Sequence, residues 1–144
     1  MHEKLLKIQQ ELKVPKNQRN SFGNYNYRSC EDIVEAVKPL CHREGLVLTL
    51  SDKVESIGGK NYVWCVAQLS DGTAVVETMA CAREADEQKG MNVAQITGAA
   101  SSYARKYALN GLFAIDDTKD ADATNDHGKA EVKKSTANDD DLPF

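Results

Sequence analysis

Between Leu46 and Arg83 the chain alternates with a period of two, and this stretch limits what the whole can become. Leu46, Leu48 and Leu50 alternate with Val47 and Thr49. Asn61–Leu69 carries Tyr62, Trp64 and Val66 on one side and Val63, Cys65, Ala67 and Leu69 on the other. Successive strand side chains point to opposite faces, so this is strand patterning. Gly58-Gly59 supplies one turn, and Ser70-Asp71-Gly72-Thr73 a hairpin turn into a further strand over Thr73–Arg83. With a short strand near Lys53–Ile57, the segment predicts an antiparallel meander of three or four strands.

Helical patterns flank the meander. Leu5, Ile8 and Leu12 recur at helical spacing over residues 2–13, and Val14-Pro15 stops that helix. Residues 15–28 show no periodicity and read as an Asn-rich, aromatic loop. Ser29, with Asp32 three residues on, predicts an N-cap. Ile33, Val37, Leu40 and Cys41 form one apolar face that ends at Gly45, and Pro39 within it predicts a kink or break. Beyond a polar stretch at 84–90, a helix is predicted over Asn92 to Ala108. Val93, Ile96, Ala100, Tyr103, Ala104 and Tyr107 would line one face of it. After Ile115 the apolar content collapses: residues 116–144 hold one Val, one Leu and one Phe, too little to build a core. The expectation is an α+β domain over 1–115, an antiparallel meander packed with helices before and after it, and a disordered acidic tail over 116–144.

The formal net charge of −4 is unevenly spread. Residues 1–115 carry 14 basic and 13 acidic side chains, and 116–144 carry 4 and 9. Lys4, Lys7, Lys13, Lys16, Arg19 and Arg28 face only Glu3 and Glu11 within residues 1–28. A basic N-terminal region with an acidic tail suits either a nucleic-acid surface with an interaction tail or merely solvated charge. No apolar run approaches the ~20 residues of a membrane span, and the first residues lack the apolar stretch of a secretory signal. The chain therefore reads as cytoplasmic, with no membrane partner. Cys30, Cys41, Cys65 and Cys81 form no CxxC pair, and read as reduced, small core residues.

The motifs of covalent chemistry are missing from the sequence. Of three histidines only His42 lies where a general base is plausible. Gly58-Gly59-Lys60-Asn61 lacks the first glycine and the hydroxyl residue of a phosphate loop. Asp116, Asp117, Asp120 and Asp122 lack the glycine of an EF-hand and read as a solvated linker. The sequence thus predicts no enzyme, no cofactor and no metal.

Three constellations remain. Lys16, Arg19 and Arg28 interleave with Phe22, Tyr25 and Tyr27. Cations neutralise phosphates and aromatic rings stack on unpaired bases, although the same rings could pin a loop to the core. On the last helix, Gly98, Ser101, Ser102 and Arg105, with Gln95 and Lys106 along one edge, form a smooth polar ribbon. It suits a sugar-phosphate backbone or a seam against a neighbouring helix or subunit. The end, Asp139-Asp140-Asp141-Leu142-Pro143-Phe144, is ligand-like: acids before an apolar tip and a free carboxylate, or else a solubilising end.

Gln95, Thr97-Gly98, Ser101-Ser102-Tyr103-Ala104-Arg105-Lys106-Tyr107-Ala108-Leu109 and Asp116-Asp117 closely resemble the Erf (essential recombination function) family of bacteriophage single-strand annealing proteins. Tyr25-Asn26-Tyr27-Arg28 and the helix after it also resemble that family, so the likeness covers about residues 1–122. It implies ATP-independent binding and annealing of single-stranded DNA by a homo-oligomeric ring or filament in homologous recombination in the host bacterial cytoplasm. It also implies a DNA groove between sheet and helix, faced or supported by Ser101, Ser102, Arg105 and Lys106 and bordered by Lys16, Arg19 and Arg28. The last six residues resemble the acidic tip of bacterial single-stranded DNA-binding proteins, which docks recombination and replication proteins. The competing readings are a single-stranded DNA-binding protein on a five-stranded barrel, a metal-dependent nuclease, and a phage regulatory protein.

Overall fold

The computed structural model of the chain describes residues 1–116. The elements are α1 (His2–Glu11), β1 (Gln18–Asn20), β2 (Tyr25–Tyr27), α2 (Cys30–Glu44), β3 (Val47–Ile57), β4 (Lys60–Ser70), β5 (Val75–Arg83) and α3 (Val93–Phe113). Met1–Val14 and Ser29–Ile115 form one unit, and Pro15–Arg28 belongs to a second. The tail and its Asp139–Phe144 tip lie, from residue 117 onward, outside the described residues.

In the first unit the expected α+β architecture is present. The sheet runs β3-β4-β5, antiparallel throughout. The short strand expected near Lys53–Ile57 is the second half of β3, so the meander has three strands. Gly58 and Gly59, at φ 60° and 77°, turn β3 into β4, and Ile57 pairs with Lys60 across them. Two successive residues at positive φ suit the right-handed twist of a hairpin. The Asp71 carboxylate accepts from the backbone N–H groups of Thr73 (2.9 Å) and Ala74 (2.7 Å), shaping the next turn with Gly72 at φ 94°. Three strands in this order make an open sheet, not a five-stranded barrel.

Register separates the sheet faces. Leu48, Leu50 and Val54 of β3 sit opposite Leu69, Ala67 and Val63 of β4, which in turn oppose Val76, Thr78 and Ala82 of β5. This face meets the helices, and Val63, Cys65, Ala67 and Leu69 are buried. α3 crosses β4 and β5, burying Ala100, Ala104, Ala108, Leu109, Leu112 and Phe113. Three alanines in register let its backbone come close enough for the Thr78 hydroxyl to donate to the Ala108 carbonyl at 2.7 Å. α2 adds Ile33, Val37 and Cys41 to the core and α1 adds Ile8, while Gln9 Nε2 donates to the Leu112 carbonyl at 3.0 Å.

Four details differ from expectation. α2 does not break at Pro39. Pro39 and Glu35 are exposed, so the carbonyl that Pro39 leaves without an N–H faces water. α3 continues five residues past Ala108, through Gly111, to a left-handed cap at Ala114 (φ 55°). Its buried stripe runs through Ala100, Ala104 and Ala108 to Phe113, and Val93, Tyr103 and Tyr107 are exposed instead of forming core. Lastly, residues 15–28 are not structureless, because β1 and β2 pair within them. The capping boxes at Ser29/Asp32 and Asn92/Gln95 are both formed, and all four cysteines are free thiols, Cys30, Cys41 and Cys65 buried. Among the described residues no helix is long and apolar enough to cross a membrane.

Candidate nucleic-acid interface

The second unit contains a small hairpin. β1 and β2 pair through Gln18 with Tyr27, Arg19 with Asn26 and Asn20 with Tyr25. Three-residue strands are marginal alone, and side chains support this pair. The Asn20 side-chain oxygen Oδ1 accepts from the backbone N–H groups of Phe22 (2.9 Å) and Gly23 (3.1 Å), and its Nδ2 donates to the Tyr25 hydroxyl at 2.9 Å. Asn24 takes the left-handed conformation at φ 53°, which asparagine tolerates. The Tyr25 ring lies so tightly over Gly23 that a Cβ there would sit 2.2 Å from a ring carbon. Tyr25 and Tyr27 share a face and meet edge to face with centroids 6.1 Å apart.

The cations of this arm occupy different settings. Arg19 is exposed and donates to the side-chain oxygens of Asn24 and Asn26, the latter at 3.1 Å. Those oxygens are uncharged, so the guanidinium keeps its full charge. Lys16 is half-buried and Arg28 is buried. Phe22, at the tip, is fully exposed. Residues 15–28 contain three cations and no carboxylate.

In the first unit, the polar residues of α3 meet β3. The Ser101 hydroxyl donates to Asp52, and Arg105 Nε lies 3.2 and 3.3 Å from the two Asp52 oxygens, with Nη2 at 3.2 Å. Burial pushes the Asp52 carboxyl up. The Ser101 and Arg105 hydrogen bonds and the guanidinium charge outweigh that and hold it below the ordinary carboxylate value. Burial, with the Asp52 carboxylate close by, pushes the Cys65 thiol up to about 11, so it stays protonated. Gln95 caps α3 by accepting from the Asn92 N–H at 2.9 Å. Ser102 is exposed and Lys106 half-buried, beside the half-exposed Tyr103 and Tyr107, whose rings stand 6.1 Å apart.

The nominated residues therefore fall into groups. Arg19 on the arm and Ser102 on α3 are exposed, and Lys16 and Lys106 are partly so. Tyr25, Tyr27, Gln95, Ser101 and Arg105 each hold local structure, and Arg28 is buried. The sequence names Phe22 only together with the tyrosines and does not nominate Asp52; the turn geometry sets Phe22 apart. Asp52 left a signal: a lone acid in the inward register of Leu48, Leu50 and Val54, which demands a partner.

The opposite face of the sheet carries no helix of this unit. Trp64, Val66 and Met79 form its floor and Ser51, Lys53 and Glu55 its side, around a shallow groove of ≈ 330 Å³. Val47, Val75 and Met79 are more than half exposed. The Trp64 indole N–H is buried without a hydrogen-bond partner among the described residues.

Together these features define a helix-and-meander α+β domain with a basic, aromatic arm. Among the described residues no cluster of three His, Cys, Asp or Glu side chains is placed to hold a metal. The chain belongs to the ERF superfamily, whose family model matches residues 1–142. The Essential recombination function protein of Salmonella phage P22 is 56% identical over 124 residues, which cover 86% of this chain and 59% of that protein. The chain thus spans less than two thirds of the length of that relative. No solved structure matches it.

Proposed function

We propose that this protein binds single-stranded DNA and anneals complementary strands, without ATP, in bacteriophage homologous recombination. Membership of the ERF superfamily carries the reading, and the name of the 56%-identical phage protein gives it its biological setting. The acid-free cationic arm, with its exposed Arg19 and Phe22, supplies suitable chemistry. Phosphate contacts from Lys16 and Arg19 of the arm would position the strand without reading its sequence. The work is binding and alignment, not covalent chemistry, and its place is the host cytoplasm. The acting form is a homo-oligomer, ring or filament, because a neighbour would cover the apolar sheet face around Trp64. The Asp139–Phe144 tip would dock a recombination or replication protein.

Two complementary oligonucleotides, mixed with the protein with and without ATP, test the core of this. Annealing should accelerate equally in both. Single-stranded DNA should bind more tightly than duplex, with affinity falling as salt rises. An Arg19→Ala, Lys16→Ala double variant should weaken binding to all sequences alike and flatten the salt dependence by about one to two ion equivalents. Strict ATP dependence, or equal affinity for duplex, would overturn the reading.

A further inference from the structure

The hairpin tip is built to display an aromatic ring to solvent. Phe22 is fully exposed, although burying such a ring is among the larger rewards of folding. A floppy loop could expose a phenylalanine by default, but this one is fixed. Asn20 ties the backbone N–H groups of Phe22 and Gly23, its own amide is tied to the Tyr25 hydroxyl, and Tyr25 lies against Gly23 so closely that no side chain fits there. Arg19 braces the far side of the turn through Asn24 and Asn26. Five side chains thus fix the turn that displays Phe22.

We infer that Phe22 is a base-stacking finger that takes an unpaired base of single-stranded DNA against its ring. This rests on the single-stranded DNA reading above and adds the contact that would favour single strands over duplex. The chemistry of the arm selects the occupant. An exposed π face on a hairpin that also exposes Arg19, with no carboxylate in residues 15–28, suits a polyanion that also carries aromatic rings. In duplex DNA both faces of each internal base are already stacked, so a protruding ring finds no partner there. Tyr25, with Tyr27 against its ring, is a positioning residue: it shapes the turn and leaves the contact to Phe22.

The test uses the full chain and its F22L and F22W variants, with a thymidine oligonucleotide carrying one 5-iododeoxyuridine for photocrosslinking. Phe22→Leu keeps an apolar side chain and removes the π face. It should weaken single-stranded DNA binding about tenfold and leave the salt dependence unchanged, because no ionic contact is lost. Phe22→Trp should retain or tighten binding. Crosslinks in the wild type should map to the hairpin and vanish in F22L. The side chain is solvent-exposed, so both variants should melt like the wild type. The inference is overturned if F22L binds and crosslinks as the wild type does. It is equally overturned if F22L loses affinity only together with a smaller sedimentation coefficient, because Phe22 would then contact another copy of the chain. Absence of any wild-type binding would remove the broader reading as well, whereas wild-type binding untouched by F22L removes this inference alone.

Discussion

Asp52 shows how one side chain can decide the standing of several others. It sits at the one acidic position on the helix-facing side of β3 and collects Ser101, Arg105 and the Cys65 thiol around it. Removing it would leave Arg105 next to a protonated thiol and a lone hydroxyl. Asp52→Asn should therefore destabilise the fold by about 1 kcal/mol, a modest figure because the pair is partly exposed and screened; urea melts measure it. The carboxyl is held below its unfolded value, so its stabilisation is fully present above about pH 4. It is lost as pH falls through the lower, folded value. The difference between wild type and Asp52→Asn should accordingly shrink below pH 4. At neutral pH the same variant releases the charge of Arg105.

Helix α3 contains two glycines with no structural need for glycine. A Cβ at Gly98 would meet open space, and one at Gly111 would touch Thr78 no closer than 3.8 Å, an ordinary contact. Gly98→Ala and Gly111→Ala should each add about 0.5–1 kcal/mol, read as a rise in melting temperature. The same helix shows what could be read from the chain alone. Its N-cap at Asn92 and the caps of α2 at Ser29 and Gly45 are local chemistry, spelled out by adjacent residues. The strand alternation of β4 was equally plain, since one face is buried and the other is not. The C-terminal end was not legible: Gly111 resembles a stop signal, but packing on β4 and β5 carries the helix to Ala114. The arm was legible in composition but not in geometry, because side chains that cap a turn leave no periodicity. Which polar groups of α3 are occupied was also hidden, since Asp52 lies 49 residues before Ser101 in the chain.

For the molecule as a whole, the apolar sheet face is the feature that most needs an explanation. Trp64, Val66 and Met79 lie there with a buried, unpartnered indole N–H among the described residues. Met79→Asp should dissociate the proposed oligomer, seen as a drop in sedimentation coefficient at micromolar concentration, and leave the melting temperature within about 1 °C, since Met79 is exposed. An unchanged coefficient would place the subunit contact elsewhere. The order of elements has a further consequence for how the protein is made. The last described helix covers β4 and β5, and the carbonyl of Leu112 is taken by Gln9 of the first helix. A nascent chain leaves the ribosome from its N-terminus, at about 5–20 residues per second. The hairpins of the meander can form early in that emergence, but their inner face stays bare until Phe113 is clear of the exit tunnel. This domain therefore completes its folding only once its last described helix has emerged, and until then the growing chain offers a sheet whose α3-facing side is open to whatever binds unfinished proteins.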